Sequence, residues 1–181
     1  RNGDVWLIDA DNLRYERLQG GGGTYTPGLG APEIVKGLDG SRPCTDCWAF
    51  SVMAFKLLSL IHPFIGKMVN GAGDDEGGWD DDSVANGDSD DLEERAYSGE
   101  FPFVDDEEDD SNACEDGLPR ELVLTPELKR LYQETLGYGR TNPHRRATMS
   151  LWALAFAKAY DHSIYCPECG MSYFPENLEN C

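Results

Sequence analysis

Hydrophobic residues recur at helical spacing in three stretches of the chain. Residues 46–61 are apolar on nearly every face, a pattern typical of a central, buried helix. Asp46 is a suitable N-cap, because a carboxylate accepts hydrogen bonds from the free N–H groups of a first helical turn. Pro63 follows the predicted end of this helix. Another helix is predicted over residues 148–162. The pattern therefore predicts a mainly α domain.

A further helix is predicted between Thr125 and Gly137. Thr125 is a suitable N-cap, Pro126 is favoured at the first helical position, and Gly137 marks the end. The stripe that would face the core consists of Leu128, Leu131, Tyr132 and Leu136. The strand that the pattern indicates is short, at residues 4–9.

The chain between this strand and the first helix is rich in glycine and proline. Residues 26–35, TPGLGAPEIV, contain two prolines and two glycines within six positions. Proline fixes φ and lacks a backbone donor, whereas glycine permits left-handed turns. We therefore predict a shaped loop here, neither helix nor strand.

The negative charge is concentrated in one segment. Residues 74–116 hold 20 of the 34 acidic residues and one basic residue, so this segment alone accounts for the net charge of −19. We predict a long acidic disordered insertion, spanning residues 70–118, because so few apolar residues cannot offset the entropy of ordering. It would be a solvated loop or a site for a basic protein partner. Phe101, Phe103 and Val104 are expected to dock back on the core.

Four motifs follow one another along the chain: LIDAD (7–11), TPGLGAPEIV (26–35), TDCWAFSVMAFKLLSLIHPF (45–64) and NPHRRAT (142–148). They resemble, in this order, the D-F-G, the T-P-G-Y-x-A-P-E, the D-x-W-S-x-G helix that runs on to Pro-Phe, and the D-P-x-x-R-P-T of protein kinases. The resemblance covers roughly residues 4–160 and is closest to bacterial and phage Ser/Thr-kinase-like proteins with D-x-D-N in place of D-F-G.

The resemblance implies a protein-kinase-like C-terminal lobe, a fragment of the α+β kinase fold, at residues 1–160. It implies ATP- and Mg²⁺-dependent phosphoryl transfer to a protein substrate in a full-length parent. Asp9 would bind the Mg²⁺ that bridges the nucleotide phosphates, and a carboxylate at a strand end suits this hard cation. Asp11 would be a second ligand or would cap the turn at Asn12. Thr26 would contact the catalytic base.

The resemblance also implies a structural anchor. Glu33 of A-P-E would pair with Arg146, whose planar guanidinium can hold a carboxylate bidentately. Arg145 is the second choice as partner. Asp46, at the start of the long helix, is assigned to the same supporting role.

The chain also departs from the family pattern. Ala10 replaces the phenylalanine of D-F-G, Leu29 replaces tyrosine, and Ala147 replaces proline. The phosphate-covering glycine loop, the strand lysine and H-R-D do not occur in the 181 residues, and we expect them before Arg1 in a longer parent. The alternatives are therefore a divergent kinase and an inactive pseudokinase or scaffold that binds partners through the acidic segment and the tail.

Four of the six cysteines form two C-x-x-C pairs, which favour metal or redox chemistry over structural disulfides. Cys166, Cys169 and Cys181 in the tail, residues 161–181, are the predicted ligands of a structural Zn²⁺ in a truncated zinc knuckle. A redox role for this pair is disfavoured because no βαβ pattern surrounds it. Cys44 and Cys47 are interpreted as core residues, with a second metal site as the alternative.

The longest apolar run, residues 47–61, has 15 residues and contains Lys56, so it is too short to span a bilayer. We expect a cytoplasmic protein with no membrane partner and no nucleic-acid partner.

Overall fold

The computed structural model describes residues 24–71 and 87–176. The predicted strand at residues 4–9 lies outside this part of the chain. Of the described residues, 54% are helical and 3% lie in strands, so the prediction of a mainly helical protein is confirmed.

The described chain contains seven α-helices and one two-stranded sheet. The helices are α1 (Pro32–Val35), α2 (Pro43–Ser59), α3 (Lys67–Asn70), α4 (Gly87–Tyr97), α5 (Arg120–Val123), α6 (Pro126–Tyr132) and α7 (Met149–His162). A π-helical turn, Gln133–Gly137, extends α6, and 3-10 turns occupy Asp110–Asn112, Tyr138–Arg140 and Pro143–Arg145. Strands β1 (Ile164–Tyr165) and β2 (Ser172–Tyr173) pair antiparallel after α7.

The long helix α2 begins three residues earlier than predicted. Its N-cap is Arg42 rather than Asp46, which lies inside the first turn. Thr45 Oγ1 accepts a hydrogen bond from the Arg42 backbone N–H at 3.0 Å and donates one to the Arg42 carbonyl at 2.7 Å. Pro43 takes the first helical position, where its missing N–H costs nothing. The local signals at residues 42–45 therefore fix the start, and the prediction for Asp46 is wrong.

Helix α2 is buried on one face only. Trp48, Val52 and Phe55 lie in the core, as predicted. The opposite face exposes Met53 by 44% and Leu57 by 71%, and Leu60 just after the helix by 67%. The prediction of a helix buried on nearly all sides is therefore wrong for the described part of the chain. What remains is an apolar helix with one uncovered hydrophobic face.

Helix α6 confirms the start and the buried stripe that the sequence pattern predicts. Thr125 Oγ1 accepts from the Leu128 N–H at the start of α6, and Pro126 occupies its first turn. All four residues of the predicted stripe are buried. Beyond Tyr132 the chain continues through the π-helical turn to Gly137, so this turn places the glycine inside the helical segment rather than after it.

Aromatic side chains form the centre of the core. Trp48 of α2 stacks on Phe64 with 5.2 Å between ring centroids. Phe55 packs edge-on against Phe103 and Tyr132, each at 5.2 Å. These contacts join α2 and α6 to the segment that follows α4, in the edge-to-face geometry that aromatic rings prefer.

The acidic segment is ordered over residues 87–118, which corrects the prediction of disorder there. Phe101, Phe103 and Val104 are buried in the core, as predicted. Asn112 is fully buried, and its Nδ2 donates to the carbonyls of Phe64 and Pro102 at 3.1 and 2.8 Å. This single amide ties the segment to the chain that follows α2. Long-range contacts of this kind offset the ordering entropy that composition alone suggests is too large.

No helix among the described residues is long and apolar enough to cross a membrane.

Candidate functional site

The predicted T-P-G loop is a turn followed by a short helix. The Leu29 N–H donates to the Thr26 carbonyl at 2.9 Å, and Gly28 has φ +77°, a left-handed conformation that glycine adopts without strain. Pro32 then starts α1, so residues 32–35 are helical rather than loop. Ala31 and Pro32 are buried, which fixes the end of this turn against the core.

The His62 side chain is hydrogen-bonded to the backbone of this turn. Its Nε2 lies 2.8 Å from the Gly28 carbonyl, and its Nδ1 lies 3.2 Å from the Phe64 backbone nitrogen. A carbonyl only accepts and an N–H only donates, so the ring must be neutral with its proton on Nε2. The pKa of His62 falls from 6.5 to about 4, mainly because the ring is buried; the hydrogen bond to the Gly28 carbonyl opposes this fall, and the nearby Lys56 adds to it. The ring therefore stays neutral at physiological pH.

Tyr97, the last residue of α4, closes over the same turn. Its ring lies edge-on to His62 at 4.9 Å. A Cβ at Gly28 would lie 3.5 Å from the Tyr97 ring and 3.6 Å from His62 Nε2. The Tyr97 hydroxyl donates to Glu93 Oε2 at 3.1 Å. The acidic segment is therefore in direct contact with the T-P-G loop, which its sequence gave no reason to expect.

Glu33 and Arg146 form a bidentate ion pair. Arg146 Nη1 and Nη2 lie 2.6 and 2.8 Å from the two carboxylate oxygens of Glu33. The Arg146 side chain is fully buried and that of Glu33 is 13% exposed. The contact predicted from the motif register is therefore present, across a sequence separation of 113 residues.

Two further hydrogen bonds hold the Arg146 guanidinium. Nε donates to the Gly139 carbonyl at 2.9 Å, and Nη1 donates to the Cys44 carbonyl at 3.1 Å. The guanidinium carbon lies 4.8 Å from the centre of the Trp48 ring, a cation–π contact. Arg146 thus connects α1, the first turn of α2 and the 3-10 turn Tyr138–Arg140. Arg145, the second choice as partner, instead lies over the Tyr138 ring at 4.3 Å.

The other predicted site residues are not brought into this cluster. Thr26 is exposed at the start of the turn, and Asp46 is exposed in the first turn of α2. Nearby protein atoms still raise the pKa of Asp46 by desolvation. Asp9 and Asp11 lie outside the described residues. The structure therefore describes the supporting anchor but not the place of the predicted magnesium ligands.

Cys166 and Cys169 lie on the turn of the β1–β2 hairpin. The Cys166 N–H donates to the Met171 carbonyl and the Gly170 N–H donates to the Cys166 carbonyl, both at 2.9 Å. Gly170 has φ +74°, which lets this turn close. Cys166 is buried, Cys169 is exposed and Cys181 lies outside the described residues. Within residues 24–71 and 87–176, no group of three His, Cys, Asp or Glu side chains could hold a metal ion.

The sequence pattern does not single out His62 or Tyr97. A histidine directly before Pro-Phe is a weak signal by itself, because a lone histidine does not reveal which distant carbonyl it will meet. Tyr97 was hidden within a segment whose composition suggested disorder.

No family model matches the chain, and no curated protein matches it significantly.

Proposed function

We propose that this chain is the C-terminal lobe of a protein-kinase-like protein that transfers phosphate from ATP to serine or threonine residues of a protein substrate. The observation that carries the proposal is the Glu33–Arg146 pair. The A-P-E-like and R-P-T-like motifs predicted this pair among all the acidic and basic residues of the chain. The two side chains meet in a bidentate geometry. A chance surface contact would be exposed and easily exchanged, whereas this one is buried and held by four hydrogen bonds from Arg146.

The environment of the T-P-G loop supports the same proposal. A loop that receives a protein substrate must be accessible yet fixed at its base. Thr26 is exposed, while His62 holds the Gly28 carbonyl and α1 is tied down through Glu33. The loop therefore has an exposed tip on a rigid support.

The apolar residues that α2 exposes, within the described part of the chain, are compatible with packing against further chain. Met53, Leu57 and Leu60 are exposed on a helix whose other face forms the core. Large apolar side chains exposed on one side of a helix often pack against another element. The proposal requires further chain, because the glycine loop, the lysine and H-R-D do not occur in these 181 residues.

In this proposal Asp9 holds Mg²⁺, and Asp11 adds a ligand or caps the adjacent turn. Mg²⁺ would neutralise charge on the nucleotide phosphates, a role for which carboxylate oxygens are suited. Thr26 would orient the catalytic base supplied by the longer chain.

The tail is proposed to bind a structural Zn²⁺ through Cys166, Cys169 and Cys181. The residues present fit in part: the glycine-closed turn of the β1–β2 hairpin carries two cysteines at knuckle spacing. Elemental analysis of a chain extended past Cys181 is expected to find one zinc per molecule, and chelation should unfold the tail alone. An extended chain without zinc would refute this part of the proposal.

The decisive experiment uses the longer parent. Asp9→Asn keeps the size of the side chain and removes its charge, so it should abolish transfer of radiolabelled phosphate and leave the thermal midpoint nearly unchanged. Asp4→Asn is the matched control, because it removes the same charge from the same segment outside the D-F-G-like motif. Equal activity of the two variants would refute the assigned role of Asp9.

The second candidate is a catalytically inactive scaffold for a basic protein partner. One observation favours it: residues 87–118 are folded onto the core and present exposed carboxylates, among them Glu107 and Glu108. A parent that neither binds Mg-ATP nor transfers phosphate, yet binds a basic protein in a salt-dependent manner, would favour the scaffold.

A further inference from the structure

The first turn of α2 carries two cysteines that the proposed function does not use. Cys44 is half-buried and Cys47 is buried, and both are in the thiol form. They are three residues apart on one helix, so their Cα atoms lie about 5 Å apart by helical geometry. This separation falls inside the range that a disulfide bridges. The turn thus presents a pair of thiols whose backbone separation is compatible with a disulfide.

The surroundings of the pair contain both activating and opposing groups. The Arg146 guanidinium favours the thiolate form of both residues, and the Met149 backbone N–H points to the Cys47 sulfur. Burial is nevertheless the largest effect and raises the pKa of both thiols. Glu33 raises the pKa of Cys44 further. Both thiols are therefore mainly protonated at neutral pH, and their oxidation should be slow and accelerate with pH.

We propose that Cys44 and Cys47 form a dithiol site that low-molecular-weight disulfides, such as oxidised glutathione, convert reversibly into an intramolecular disulfide. Cys44, the more accessible residue, attacks one sulfur of oxidised glutathione and releases one glutathione thiolate. Cys47 then attacks the Cys44 sulfur of the mixed disulfide and releases the second. The two protons lost by the protein thiols are taken up by the two glutathione thiolates, so one disulfide is reduced as another forms.

Two other roles account less well for this pair. A metal site needs at least one more ligand, and no group of three suitable side chains occurs in the described part of the chain. A purely structural role suits Cys47, which is buried, but leaves the partly accessible Cys44 unexplained. Cys44 also gives its backbone carbonyl to Arg146 at 3.1 Å. The proposed disulfide would therefore close on the turn that holds the Glu33–Arg146 anchor.

The test is equilibration of the 181-residue chain in oxidised glutathione, followed by acid quenching, alkylation and digestion with trypsin. Cleavage after Lys36 and Lys56 releases both cysteines in one peptide, 37–56, because trypsin does not cut the Arg42–Pro43 bond. The disulfide lowers the mass of this peptide by about 2 Da and blocks alkylation of both cysteines. We expect most of the peptide in this form, and reversal when reduced glutathione is added in excess.

Two variants provide controls. Cys47→Ser should stop the reaction at a mixed disulfide of Cys44 with glutathione, because the second attack is lost. Cys114→Ser removes another partly buried thiol and should leave oxidation of peptide 37–56 unchanged. The rate for the unsubstituted chain should rise about tenfold per pH unit between roughly pH 7 and 8, as expected for thiols titrating above that range.

Three results would overturn the proposal. In the first, both cysteines remain open to alkylation in oxidised glutathione. In the second, the unsubstituted chain stops at the mixed disulfide. In the third, peptide 37–56 is recovered linked to a peptide that carries a different cysteine.

Discussion

Removal of one partner from the Glu33–Arg146 pair should destabilise the protein far more than the loss of a surface ion pair. Arg146→Ala leaves the Glu33 carboxylate without its guanidinium and deprives the carbonyls of Gly139 and Cys44 of a donor. Because the Arg146 side chain is fully buried, we expect a loss of about 3–5 kcal/mol of unfolding free energy. Glu33→Gln keeps one hydrogen-bond acceptor at a partly exposed position, so this variant should lose about 2 kcal/mol of unfolding free energy.

The chain offers a matched control. Arg130 pairs with Glu127 and Glu134, but the side chains of Arg130 and Glu127 are 47% and 48% exposed. Solvent screens this pair, so Arg130→Ala should cost less than about 1 kcal/mol. The comparison separates the effect of burial from the loss of an arginine as such.

The assay is urea unfolding followed by the fluorescence of Trp48 and Trp152, both buried in the folded protein. The double variant Glu33→Gln with Arg146→Ala completes a double-mutant cycle, and the coupling energy should exceed about 1 kcal/mol. The reasoning is refuted if Arg146→Ala costs no more than Arg130→Ala, or if the two effects in the cycle simply add.

Three further predictions concern His62, Gly66 and Asn112. The pKa of His62 is about 4 in the folded protein and near 6.5 in the unfolded chain. Between pH 4 and pH 6.5, therefore, mainly the unfolded chain binds a proton at His62. Stability should therefore fall by roughly 2–3 kcal/mol as pH falls from 6.5 to 4, and His62→Gln should flatten this part of the profile of unfolding free energy against pH. Gly66→Ala would push a Cβ into the Asn112 carbonyl oxygen and should lower the thermal midpoint sharply, whereas Gly71→Ala, whose Cβ would meet no atom of the described residues within 4 Å, should not. Asn112→Ala leaves two buried carbonyls without their side-chain donor and should cost about 2–4 kcal/mol in urea unfolding.

Features with strong local signals could be predicted from the sequence. The start of α6 follows from Thr125 and Pro126, whose capping and φ preferences act within one turn. The start of α2 was predicted at Asp46, whereas the helix starts at Pro43, which suits the first turn, with the Thr45 side chain bonded to the Arg42 backbone. Pro43 and Thr45 are both visible in the sequence, and together they set the start of α2.

Features that depend on distant contacts could not be predicted in this way. The order of residues 87–118 rests on the burial of Phe103 and on the hydrogen bonds of Asn112, which composition does not reveal. The contact of His62 with Gly28 spans 34 residues and has no local pattern. Glu33 and Arg146 were found across a greater distance only because two motifs placed them in register.

The sequence separation of this ion pair also has a kinetic consequence. Closing 113 residues of chain carries a large entropic cost, so the pair should form late, after the more local packing of α6 and α7. Its φ-values should then be near zero, and substitutions should accelerate unfolding while the folding rate stays nearly constant. Arg146 therefore controls the unfolding rate, and so the lifetime of the folded state, rather than the folding rate.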